Sequence, residues 1–102
     1  MQKQVDDWIG LLKVGYFPPL SIMAQISEET GELARVLNNE HGGRVKKSAD
    51  PESEIGSEIS DIMFALICLA NSHNINLEET WKKTVGARCE RDKDRYEKIE
   101  ED

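Results

Sequence analysis

Asp50-Pro51-Glu52-Ser53-Glu54-Ile55-Gly56-Ser57-Glu58-Ile59-Ser60-Asp61-Ile62-Met63-Phe64-Ala65-Leu66-Ile67-Cys68-Leu69-Ala70 holds a helix start, an acidic pair and an apolar run in one stretch. Proline suits the first helical position, because the N–H it lacks would have no partner there. The segment therefore predicts a helix from Asp50-Pro51 to about Asn71 or Ser72. From Ile62 to Ala70 that helix is apolar on every side, and such a helix is buried all round. A chain of 102 residues makes one domain and hides only roughly 60–70% of its unfolded surface. Cover for this helix is therefore expected from another subunit.

Upstream, apolar residues recur at helical spacing twice more. Val5, Trp8, Ile9 and Leu12 mark a first helix from about Gln2 to Lys13, which Gly15-Tyr16-Phe17-Pro18-Pro19 ends, since two prolines cannot continue it. Ile22, Ile26, Leu33 and Val36 mark a second from about Leu20 to Asn39, broken by His41-Gly42-Gly43 and followed by a polar loop. Downstream, Asn76 with Glu79 forms a capping arrangement for a fourth helix expected to reach into the last residues. No segment alternates like a strand between turns. The fold class is all-α, a four-to-five-helix bundle completed by oligomerisation.

Charge and composition narrow the function. A formal charge of −7 argues against nucleic acid or an anionic membrane as partner. Cys68 and Cys89 form no disulfide framework, which suits a reducing compartment. The first residues, Met1-Gln-Lys-Gln-Val-Asp-Asp, contain no signal-peptide core. The longest apolar run falls far short of the ~20 residues of a membrane helix. A cytoplasmic protein is expected.

Two acidic pairs stand out: Glu29 with Glu32 on the second helix, preceded by Glu28, and Glu58 with Asp61 on the third. Residues three apart share a helical face. At about 100° per residue, Glu29 falls near the Ile22–Ile26–Leu33–Val36 stripe, and Glu58 near Ile55, Ile62, Ala65 and Leu69. Both pairs are thus expected to point inward, where unpaired carboxylates are costly. A single acidic pair is usually a solvated face. Two pairs on apolar stripes of neighbouring helices point to a cation. Four carboxylates without histidine make a hard, all-oxygen site, suited to Mg2+ or Mn2+. Magnesium with open positions points to phosphate-ester chemistry.

Glu28-Glu29-x-x-Glu32 followed by Glu58-x-x-Asp61 resembles the signature of the MazG-like all-α nucleotide pyrophosphohydrolases. Gly15-Tyr16-Phe17-x-Pro19-Leu20, Gly31-Glu32-Leu33-Ala34-Arg35 and Arg91-Asp92-Lys93-Asp94-Arg95 are similar to a branch of small bacterial members. The resemblance covers nearly the whole chain. It implies hydrolysis of a nucleoside triphosphate to monophosphate and pyrophosphate, with Glu29, Glu32, Glu58 and Asp61 as magnesium ligands. Glu28 matches a position that assists the attacking water or supports the ligands. Members work as homodimers or homotetramers; many remove unwanted nucleotides, and some act on dUTP or dCTP. A lysine and an asparagine are expected just before Arg91-Asp92, where this chain has Ala87 and Cys89. If those positions serve the phosphates, either activity is weak here or their work falls to Lys83 or Arg88.

Seven of the thirteen Lys and Arg residues lie between Lys82 and Lys98. Lys83, Arg88, Arg91, Lys93 and Arg95 are candidates for phosphate oxygens, although Glu90, Asp92, Asp94 and Glu97 among them also make ordinary surface pairs. Trp8, Tyr16 and Phe17 offer rings to a base, with packing of the first helix corner as the commoner use. Asn39 either reaches the base or ends the second helix. His73 suits a helix C-terminus, and His41 is expected in a loop. Two other functions stay open: a phosphoribosyl-ATP-type pyrophosphohydrolase with the same carboxylates, and a non-catalytic helical module that binds nucleotide or protein.

Overall fold

In the computed structural model, which describes residues 1–41 and 51–99, four helices follow one another: α1 (Gln2–Ile9), α2 (Pro19–His41), α3 (Pro51–Ser72) and α4 (Leu77–Asp92). The expected polar loop before Asp50 lies outside the described residues. Helix α2 packs extensively against α3, and α1 packs against α3 over a smaller contact. Among the described residues there is no strand, and no helix is long and apolar enough to cross a membrane.

The core joins Val5 of α1, Ile22 and Ile26 of α2, and Ala65, Ile67 and Cys68 of α3, with Ile9, Tyr16, Leu69 and Leu77 packed at its margin. Val36 is also fully buried. A polar network locks the helix ends around this core. The Tyr16 hydroxyl donates to Asp6 Oδ1 at 2.6 Å and accepts from Asn71 Nδ2 at 3.0 Å. Gln2 Nε2 donates to Asn71 Oδ1 at 2.8 Å and to the Ile75 carbonyl at 2.7 Å. The Leu77 N–H closes the network on Gln2 Oε1 at 2.8 Å. The start of α1, the corner before α2 and the α3–α4 turn are thus tied to one another.

Several boundaries differ from those expected. Helix α1 stops at Ile9, not near Lys13. Gly10 caps it, and the chain leaves through turn bonds from the Leu11 and Leu12 N–H groups to the Trp8 and Ile9 carbonyls. Gly15 then takes φ 65°, a conformation that suits glycine. Trp8 and Leu12 consequently remain 54% and 40% exposed instead of joining the core. Helix α2 runs on to His41, which is its last residue and not a loop residue. Helix α3 begins at Pro51 as expected, with Glu52 and Glu54 in its first turn, where carboxylates favour the helix dipole. Asn76 caps α4, its Oδ1 accepting the Glu79 N–H at 3.1 Å. That helix ends at Asp92 instead of reaching the last residues. Lys93 to Lys98 carry no apolar face to pack, and a short polar segment gains too little from helix formation alone.

The chain leaves much apolar surface open. Ile59, Met63, Phe64 and Leu66 of α3 are 38–45% exposed, and α4, with Trp81 at 69%, buries no residue. The radius of gyration is 17.8 Å, against about 13 Å for a compact domain of 100 residues. Ala65, Ile67, Cys68 and Ala70 of the same helix are buried within the chain.

Gly31 and Gly56 sit inside α2 and α3, and a Cβ added at either meets nothing within 4 Å. No close approach among the described residues requires them. Gly56→Ala is therefore expected to stabilise the fold by about 1 kcal/mol, read as a higher midpoint in thermal denaturation. A lower midpoint would mean that something outside this chain packs closely on α3 there.

Candidate functional site

The packing of α2 on α3 brings acidic residues from both helices to one seam. Carboxylate oxygens of Glu29, Glu58 and Asp61 all lie within 4.8 Å of one another. Glu29 and Glu58 are half-buried and Asp61 is exposed. The spacing of the sequence explains the meeting, since Glu58 and Asp61 lie one turn apart on α3 and α2 presents Glu29 across from them. The side chains do not enter the core, as the expectation of inward pairs had it. Ile22, Ile26 and Val36 occupy the buried line of α2, and the carboxylates take its wet margin, where charge costs less.

Electrostatics mark Glu29 as the centre of the group. Its carboxyl is held above the ordinary carboxylate range, first by loss of hydration and then by the charges of Asp61, Glu58, Glu32 and Glu28. A native group with a raised carboxyl pKa holds its proton more tightly than the unfolded chain does. It therefore takes stability away as pH rises from the ordinary carboxylate range through the raised value. A cation among the carboxylates relieves that repulsion.

Glu32 stands apart from the trio. Its Oε2 accepts a hydrogen bond from the Arg35 guanidinium at 2.7 Å, and both side chains are about half exposed. Arg35 was not singled out in the sequence, although its spacing of three from Glu32 is the signal of an ion pair. Glu28, beside Glu29, is exposed.

The expected phosphate-binding residues lie elsewhere. Helix α4 makes no extended packing with α2 or α3, so its basic residues are not packed against the carboxylates of their own chain. Lys83 and Arg88 are exposed. Arg91 pairs with Asp92 at 3.1 Å. Arg95 also reaches Asp92, at 3.4 Å, and stacks over Tyr96 with its guanidinium 5.7 Å from the ring centre. Lys93 pairs with Glu90 at 2.9 Å. Trp8 stands on α1 with its ring largely in solvent. Asn39 is half-buried on α2 and already has an interaction partner.

A profile of the MazG nucleotide pyrophosphohydrolase domain matches residues 17–96. The chain belongs to the MazG nucleotide pyrophosphohydrolase family. It is 45% identical over 101 residues to YpjD of Bacillus subtilis, a match that takes in 99% of this chain and 91% of that protein. The crystal structure of Bacillus subtilis YpjD, a candidate pyrophosphatase, superimposes with a TM-score of 0.78 at 44% identity, covering 84% of this chain and 88% of the other. The crystal structure of a Bacillus-conserved MazG protein, a nucleotide pyrophosphohydrolase, gives a TM-score of 0.71 at 42% identity, covering 85% and 83%. The MazG match and these neighbours make the chain a hydrolase acting on nucleotides, with an all-α fold.

Proposed function

We propose that this MazG protein hydrolyses a (deoxy)nucleoside triphosphate to monophosphate and pyrophosphate with a divalent cation, Mg2+ or Mn2+, held by Glu29, Glu58, Asp61 and Glu32. The observation that carries this reading is the meeting of three carboxylates from two helices within 4.8 Å. The donor set fits the ion: oxygen ligands alone, one of them disfavoured as an anion by lost hydration and then by its neighbours' charge, suit a hard cation. When bound, such an ion polarises phosphate oxygens and lowers the pKa of a coordinated water. Glu28, exposed beside the trio, accepts the proton that the attacking water gives up. Half-burial of Glu29 and Glu58 lowers the local dielectric and so strengthens their hold on the ion. The physiological role that fits is removal of unwanted nucleotides in the cytoplasm.

The same reading includes a homodimer or homotetramer. Ile59, Met63 and Leu66 share an open apolar face on the helix that also carries Glu58 and Asp61, and Phe64 is exposed on a different side of it. Contact between copies there would cover that face. It would also give the unpacked α4, with Lys83, Arg88, Arg91, Lys93 and Arg95, a surface to lie on.

Melting with and without magnesium tests the metal centre. At mildly alkaline pH, where the carboxylates repel most, magnesium at about 100 times its dissociation constant should add about 2.7 kcal/mol of stability. Glu58→Ala should show little of that gain and should melt higher than the parent in the absence of metal. Equal magnesium shifts in both proteins would rule out the trio as the site. Chromatography of the products then separates a triphosphate substrate from a phosphoribosyl-ATP-type one, and a pure binding module would release no pyrophosphate at all.

A further inference from the structure

Arg35 is the residue near the carboxylates whose role nothing above explains. Among the described residues, its bond to Glu32 is the one ion pair that engages an acid of the site. The guanidinium also feels α3: after Glu32, the charges of Glu54 and Glu58 hold it more firmly protonated. Glu32 meanwhile is absent from the three acids that already converge.

We propose that Arg35 positions the phosphate chain of the nucleotide, and that its pair with Glu32 is the resting half of an exchange. Glu32 leaves Arg35 when it joins the ligands of the divalent ion, and the freed guanidinium meets the phosphates. This proposal rests on the metal-centre reading above. Charge balance favours it, since one divalent ion cannot neutralise four carboxylates together with a triphosphate. A cation close to the phosphates offsets part of that charge locally, and among the described residues α4 makes no extended packing with α2 or α3 to bring one. Arginine suits the task because its planar fork bonds two phosphate oxygens at once and it never loses its charge. The resting pair is easily given up, because both partners are about half exposed and such pairs are worth little.

The test uses two ligands on the folded full chain, with helical content checked by circular dichroism. The first is Mn2+ alone, followed by electron paramagnetic resonance. The second is a non-hydrolysable α,β-imido nucleoside triphosphate with magnesium, followed by calorimetry. Arg35→Ala should bind Mn2+ a few-fold more tightly, because Glu32 no longer has a competing partner. The same variant should bind the analogue at least about tenfold more weakly, the loss expected for a charge-assisted hydrogen bond. Steady-state KM should rise with kcat largely retained, and Arg35→Lys should recover part of the analogue affinity. A surface pair with no further role would leave the analogue affinity within about twofold of the parent, and that result would overturn the proposal. Weaker Mn2+ binding in Arg35→Ala would overturn the exchange. Failure of the parent to bind Mn2+ would remove the metal centre and the exchange together, whereas Mn2+ binding without an Arg35 effect would remove the exchange alone.

Discussion

Phe64→Asp should break the homo-oligomer proposed above, giving a dissociated chain or one that fails to fold. Phe64 lies in the middle of the apolar run of α3, 38% exposed, in a run where Met63 and Leu66 are open to a similar degree. An unpaired carboxylate placed in a contact made of such side chains loses its hydration without gaining a partner. Light scattering at low micromolar concentration should show the parent free of monomer. The variant should scatter as a monomer or lose its helical signal, with activity lost alongside. A folded parent monomer under those conditions would contradict the account of α3. So would a Phe64→Asp variant of unchanged size.

Residue spacing made part of this architecture readable in advance. The second and third helices were legible because Ile22, Ile26 and Val36 repeat at helical spacing and Pro51 marks a start that proline favours. The meeting of Glu29, Glu58 and Asp61 followed from a period of three on each helix and from short chains packing neighbouring helices together. What escaped was set by contacts between elements or by solvent. Leu12 has the right spacing for α1, yet the chain turns out after Ile9, and periodicity carries no information about where a short helix is abandoned. The expectation that both acidic pairs point inward failed on degree: wheel position gives a direction, while burial depends on the depth of the neighbouring helix. Glu32 has two legible uses, as a ligand and as the partner of Arg35 three residues on. The i, i+3 pairing that joins them is as simple a rule as the one that joined the acids. The basic cluster of α4 was visible as composition, but no sequence pattern shows which surface a helix without an apolar face will meet.

Loss of catalysis is the second large effect. Glu32→Gln, Glu58→Gln and Asp61→Asn should each keep the helical fold, because the swap preserves size and removes a repelling charge. Each should nevertheless lose nearly all turnover, because each deprives the ion of a charged oxygen. Residues that merely support metal ligands commonly cost about 10–100-fold when changed, so loss of a ligand should exceed about 100-fold in kcat. Glu28→Gln should also lower kcat while leaving Mn2+ binding near that of the parent, since its carboxylate serves the water and not the ion.

The most direct test is pyrophosphate release by the parent and by Asp61→Asn, both folded and of equal size in solution, with a preferred triphosphate and saturating magnesium. The account predicts steady release of pyrophosphate and monophosphate in equal amounts by the parent, and almost none by Asp61→Asn. Turnover by Asp61→Asn as fast as the parent's would contradict the metal-catalytic role of the α2–α3 carboxylates.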